Sequence, residues 1–181
     1  GVIADGWWHI FLIKRTDTGV VDVLASQSFS APTMPTNYTL RRRIGSIVRA
    51  AGTIVAFDQV GDRFDLDVPV AIYASGANPG TAAITVTPTA NTVPAYSVEF
   101  IVGVRSRTGA GGGFAGLISA LDTTDTAPSN TISNFGAGAS SASSVEVRVR
   151  GSATGTFRHR IDFSDASIFV DMTGIGWTDT R

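Results

Sequence analysis

Short runs of alternating apolar and polar residues recur along this chain, and no window sustains the spacing of a capped amphipathic helix. In Ser144–Arg150, Val145, Val147 and Val149 oppose Glu146, Arg148 and Arg150. In Ala95–Arg105, Val98, Phe100, Val102 and Val104 oppose Ser97, Glu99 and Arg105, while Ile101 falls on the second face and predicts that it is partly covered. Phe157–Phe163 sets Phe157, His159, Ile161 and Phe163 against Arg158, Arg160 and Asp162. Trp7–Lys14 (WWHIFLIK) is apolar on both faces apart from His9, which predicts a central strand. Asp17-Thr18-Gly19 turns it into Val20–Ser26, and Ser30–Asn37, holding Pro32 and Pro35, is an extended connection.

The next stretch, Thr39–Phe64, predicts a hairpin from two β-type runs, Leu40–Arg49 and Thr53–Val60, around Ala50-Ala51-Gly52. Both faces of that hairpin carry Leu, Ile, Val or Phe, so it belongs between other layers. Arg63–Tyr73 continues as a strand that Pro69 makes an edge or breaks in two. Thr108–Gly116 (TGAGGGFAG) is expected to be the most flexible segment, with Leu117–Leu121 a short strand after it. Asp122–Ser144 reads as a broad surface loop or an oligomer contact. Some ten short strands joined by Gly, Pro and Asn turns predict an all-β fold, an antiparallel β-sandwich of jelly-roll type. No linker composition divides the chain, so residues 1–181 are expected to form one domain, cut from a longer protein.

Composition narrows the function classes. At 181 residues with 43% hydrophobic content the chain can bury one sizeable core. A net charge of -1 argues against a nucleic-acid partner, and no apolar run approaches the roughly 20 residues of a membrane helix. With no cysteine, disulfides and thiolate metal sites are excluded. The glycine-rich stretch lacks the Lys-Ser/Thr of a phosphate cradle, and no cofactor is expected.

Five motifs carry a resemblance. WWHIFLIK with Trp7-Trp8-His9 precedes the TGVVD turn, Thr18 to Asp22; a P-x-x-P-x-x-Y linker, Pro32 to Tyr38, leads into RRIGS, Arg42 to Ser46. The chain closes on GW-x-D-T-R, Gly176 to Arg181. In this order they resemble a recurring module of phage tail-fibre and virion-appendage proteins, tightly over Trp7–Phe64 and again at the last residues. The resemblance implies a non-enzymatic structural or receptor-facing module, commonly a homotrimer, in a fibre, spike or head decoration, partnered by other virion proteins and in some cases host-surface glycan.

Chemistry read from the residues themselves offers few candidates. His9 and His159, the two histidines, lie on apolar patterns and are expected in a core or interface, each with one partner. No nucleophile-elbow pattern accompanies them. Arg42 alternates with Leu40 and Ile44, and a guanidinium on an apolar face calls for a carboxylate; Asp58 is the nearest, giving a structural Arg42–Asp58 pair. The alternative is a surface arginine whose stem lies over apolar neighbours. Asp62, Asp65 and Asp67 could hold Ca²⁺ or stand as solvated charges on an edge strand. Trp7, Trp8, Tyr96 and Trp177 serve as core or interface aromatics, or as glycan platforms in a carbohydrate-binding module. Adjacent Trp7 and Trp8 must point to opposite faces.

Overall fold

The structure, a computed structural model, describes residues 3–87, 98–109, 112–152 and 155–179. Its described residues form strands and connections with no helix, in three antiparallel sheets. β1 (Gly6–Arg15), β2 (Val21–Ser26), β3 (Tyr38–Ala50) and β4 (Thr53–Ile54) make an N-terminal sheet in the order β2-β1-β3-β4. β5 (Phe57–Val60) and β6 (Arg63–Ala74) then enter a second sheet with β8 (Val98–Arg107), β11 (Ala142–Arg150) and β13 (Phe169–Asp179). β7 (Ile84–Val86), β9 (Phe114–Ala120), β10 (Phe135–Ala137) and β12 (Phe157–Ile161) form the third.

The order of the last eight strands identifies the architecture. One sheet reads β11-β8-β13-β6, with β5 added at its edge, and the other reads β10-β9-β12-β7. Every connection from β6 onward crosses between the sheets except β9 to β10, which is the eight-stranded jelly roll. Alternation fills the space between: Phe100, Val102 and Val104 from β8 and Val147 and Val149 from β11 meet Phe114, Ile118, Phe157 and Ile161 from the other sheet. Ile101, on the opposite face of β8 that was expected to be partly covered, is fully buried. Pro69 lies beyond the β5 pairing, which ends at Leu66, so it sits where β6 is the sheet's edge and no neighbour needs its missing N–H.

Three expectations need correction. The hairpin closes at Ala51-Gly52, both at positive φ (49° and 83°), as a two-residue turn demands. Its second arm, however, is divided: Thr53–Ile54 stays with β3, while Phe57–Val60 crosses over to pair with β6. The stretch expected to be most flexible, of which residues 110 and 111 lie outside the described residues, contains the start of β9, where Gly113 and Gly116 are sites of close packing. A Cβ on Gly116 would meet the Phe135 ring at 2.1 Å, and one on Gly136 would meet the Phe114 carbonyl at 2.4 Å. Nor is Asp122–Ser144 one broad surface loop, since it contains β10 with the buried Phe135 and Ala137. Asn134 holds β10 in place, its side chain accepting from the Ile118 N–H and donating to the Ile118 carbonyl, each at 2.8 Å.

Candidate functional site: a buried joint between two sheets

The N-terminal sheet meets the jelly roll where β1 and β3 face the end of β13. β1 turns Trp7, His9, Phe11 and Ile13 to one face, and their partners Val48, Ser46, Arg43 and Arg41 on β3 share it. Strict alternation cannot put both Ser46 and Arg43 on one face. A β-bulge does so: Ile10 pairs with Gly45 and Phe11 with Arg43, leaving Ile44 as the extra residue. β13 uses the same device, because Gly174 pairs with Val102 and Gly176 with Ile101, leaving Ile175 over. That second bulge reverses the parity of the strand and turns Trp177 and Asp179 inward.

At the joint Asp179, fully buried, receives Arg43 through both carboxylate oxygens, with Nη1–Oδ2 and Nη2–Oδ1 both at 2.6 Å. Ser46 Oγ donates to Asp179 Oδ2 at 3.0 Å and accepts from Arg43 Nη1 at 3.1 Å. His9 Nδ1 lies 2.8 Å from Ser46 Oγ. With the serine proton directed at the aspartate, His9 must be the Nδ1–H tautomer and donate. Phe29 closes the cluster, its ring 4.4 Å from the Arg43 guanidinium and edge-to-face with His9 at 5.3 Å. Aromatic packing continues beside it: Trp177 stacks on Phe64 at 5.0 Å and meets Trp7 edge-on at 4.9 Å. Gly176 permits this, since a Cβ there would stand 2.0 Å from the Phe64 carbonyl oxygen.

The electrostatics favour a neutral histidine. Burial, and next the Arg43 charge, lower the His9 pKa to about 4 against a smaller opposing pull from Asp179. Ser, His and Asp are therefore all present, but the serine sits between the acid and the base. In a hydrolytic triad the histidine takes that middle place and its free nitrogen faces the nucleophile. Here His9 donates to Ser46, and all three side chains are buried. The arrangement is a charge clamp between sheets.

The other candidates fall elsewhere. Arg42 and Asp58 are both exposed, on different sheets, so the Arg42–Asp58 pair is replaced by Arg43–Asp179. The physical reason is the Ile44 bulge, which moves the inward position by one residue. Asp62, Asp65 and Asp67 are not drawn together, and no cluster of three metal-ligating side chains occurs among the described residues. Asp65 is instead held by Arg63, whose Nε reaches both carboxylate oxygens at 2.8 Å. Trp177 is fully buried and offers no sugar platform. Trp7 is half-buried against it, and Trp8 points to the opposite face, its Nε1 donating to the Ala4 carbonyl at 3.0 Å. Tyr96 lies outside the described residues. His159 is buried with Tyr73 edge-on at 4.6 Å, yet neither ring nitrogen has a hydrogen-bond partner among the described residues, contrary to the one partner expected. Burial lowers its pKa to about 4 as well.

Asp179 and its partner Arg43 were missed by sequence reasoning because they stand 136 residues apart. The signal available was the GW-x-D ending, read only as part of a resemblance. No helix among the described residues is long and apolar enough to cross a membrane. Comparisons with protein-family models, with curated proteins and with solved structures give no match.

Proposed function

We propose that this chain is a structural module of a bacteriophage particle, in a tail fibre, spike or head decoration. Its work is assembly into the virion, and attachment to the host surface follows from that position. One observation carries the reading: the motif residues His9, Arg43, Ser46, Trp177 and Asp179 converge on a single buried joint. Motifs spent on holding two sheets together are what a shape-bearing module needs. The jelly roll agrees by analogy alone, since viral capsid and lectin domains share it with proteins of other functions. A homotrimer is the expected form, with several copies compensating for weak single contacts.

Antibodies raised against the chain test this reading directly. Gold label at one defined place on purified particles, with slowed adsorption to the host, is the expected result. Particles that contain none of the chain would remove the proposal.

A second reading, a carbohydrate-binding module, draws on a different feature. The outer face of β8, β11 and β13 holds an open groove of about 480 Å³ lined by Arg105, Ser144, Glu146, Asp171 and Thr173. Carboxylates, hydroxyls and a guanidinium suit sugar hydroxyls. Saturable binding on a glycan array that Asp171→Ala abolishes would favour it, whereas loss on adding a chelator would bring back the calcium-dependent form.

A further inference from the structure

A single covalent connection joins the N-terminal sheet to the jelly roll. β4 ends at Ile54 and β5 begins at Phe57, so the chain crosses once, at Val55-Ala56. The Val55 N–H still donates to the Val48 carbonyl in the sheet, while the Ala56 carbonyl already accepts from Asp67 in the roll, which puts the boundary between those two residues. Among the described residues, the hydrogen bonds that cross the joint run from Arg43 and Ser46, and all end on Asp179. A layer tethered by two linker residues and bonded through one carboxylate has the topology of a hinge and a latch. His9 sits inside that latch. The charged groups facing it are Arg43 from β3 and Asp179 from β13; Ser26 across from it on β2, Ser46 and Phe29 are uncharged.

We infer that the joint is an acid-operated latch, in which protonation of His9 releases the N-terminal sheet to swing about Val55-Ala56. Asp179 is already neutralised by Arg43 through both oxygens, and the Nδ1 proton of His9 already serves Ser46. A second proton therefore goes to Nε2 and sets an imidazolium beside a guanidinium around one buried carboxylate. Opening the joint returns that charge to water. The sign follows from linkage. His9 is harder to protonate in the closed joint, with its pKa lowered to about 4, than in water at 6.5, so the proton binds the open form more tightly. The closed joint is at full strength above pH 6.5 and loses strength progressively as the pH falls toward 4. Between pH 7.5 and pH 4.5 the open-to-closed ratio rises about 70-fold. The inference is independent of the virion reading.

Thiol protection tests it. The chain has no cysteine, so each single substitution supplies one thiol. Val48→Cys places it on the joint face of β3, where Val48 is fully buried. Val23→Cys, exposed on β2, gives the unprotected rate at each pH, and Val102→Cys, in the core of the roll, reports unfolding of the roll. The probe is dithiodipyridine, which reacts with thiols in mild acid. The Val48→Cys rate divided by the Val23→Cys rate should rise about 70-fold from pH 7.5 to pH 4.5, and at both pH values should exceed the same quotient for Val102→Cys. His9→Asn, whose amide donates to Ser46 but takes up no proton, should hold the Val48→Cys quotient within about threefold over that range. His159→Leu, inside the roll, should leave the rise in place. A quotient that does not rise, equal quotients for Val48→Cys and Val102→Cys, or loss of the rise with His159→Leu would overturn the inference. An equal rise with His9→Asn would overturn it too, in favour of protonation at Asp179.

Discussion

Arg42 and Arg43 are neighbours of identical chemistry with opposite fates. Arg43 is drawn into the joint and meets a fully buried carboxylate, while Arg42 stands in solvent. Truncation should therefore separate them. Arg42→Ala is expected to change unfolding free energy by less than about 0.5 kcal/mol, as surface substitutions do. Arg43→Ala should cost about 3–5 kcal/mol because it leaves the Asp179 carboxylate buried without its cation, with the Ser46 hydroxyl still donating to it; urea titrations of both proteins read the difference. The histidines make a second residue-scale case. Both fold with a pKa near 4, below the 6.5 of an unfolded chain. Their contribution is thus complete above pH 6.5, falls as pH drops through the interval, and is gone below about pH 4. Each accounts for up to about 3 kcal/mol of that acid loss. His159→Leu removes a buried polar ring with no hydrogen-bond partner among the described residues, so it should raise stability at pH 7 by about 1 kcal/mol and reduce the acid loss. Urea midpoints at pH 7 and pH 4.5 check both signs.

Strands were legible where alternation was clean, as in β8, β11 and β12, and less so where a bulge or a glycine intervened. A bulge adds one residue without changing composition, so the run RRRIGS gives no hint that Ile44 is skipped. Reading that run at strict period two selects Arg42 and places the acid on the nearest strand. Glycines misled in the other direction: Gly116 read as part of a flexible stretch and Gly136 as part of a surface loop, yet each permits two elements to touch. Gly176 is the sharpest instance, because its missing Cβ lets β13 approach the Phe64 carbonyl while Trp177 turns inward. Gly176→Ala is expected to cost more than about 3 kcal/mol or to prevent folding, which thermal unfolding by circular dichroism would reveal. A Tm within a few degrees of the parent would mean that the close approach relaxes at little cost.

At the scale of the whole molecule, the all-β class and the sandwich follow from periodicity, whereas the jelly-roll order is set by long-range pairing that no local pattern encodes. The joint was still less accessible, since its two charged members come from β3 and the last residues of β13. Those residues fasten a four-stranded sheet to an eight-stranded body. The account rests on that fastening, and a double-mutant cycle measures it most directly. Arg43→Ala, Asp179→Ala and the double variant should show a coupling of about 2 kcal/mol or more in urea unfolding. Additive effects within about 0.5 kcal/mol would mean that the two residues do not act together, and the joint would not hold the sheets.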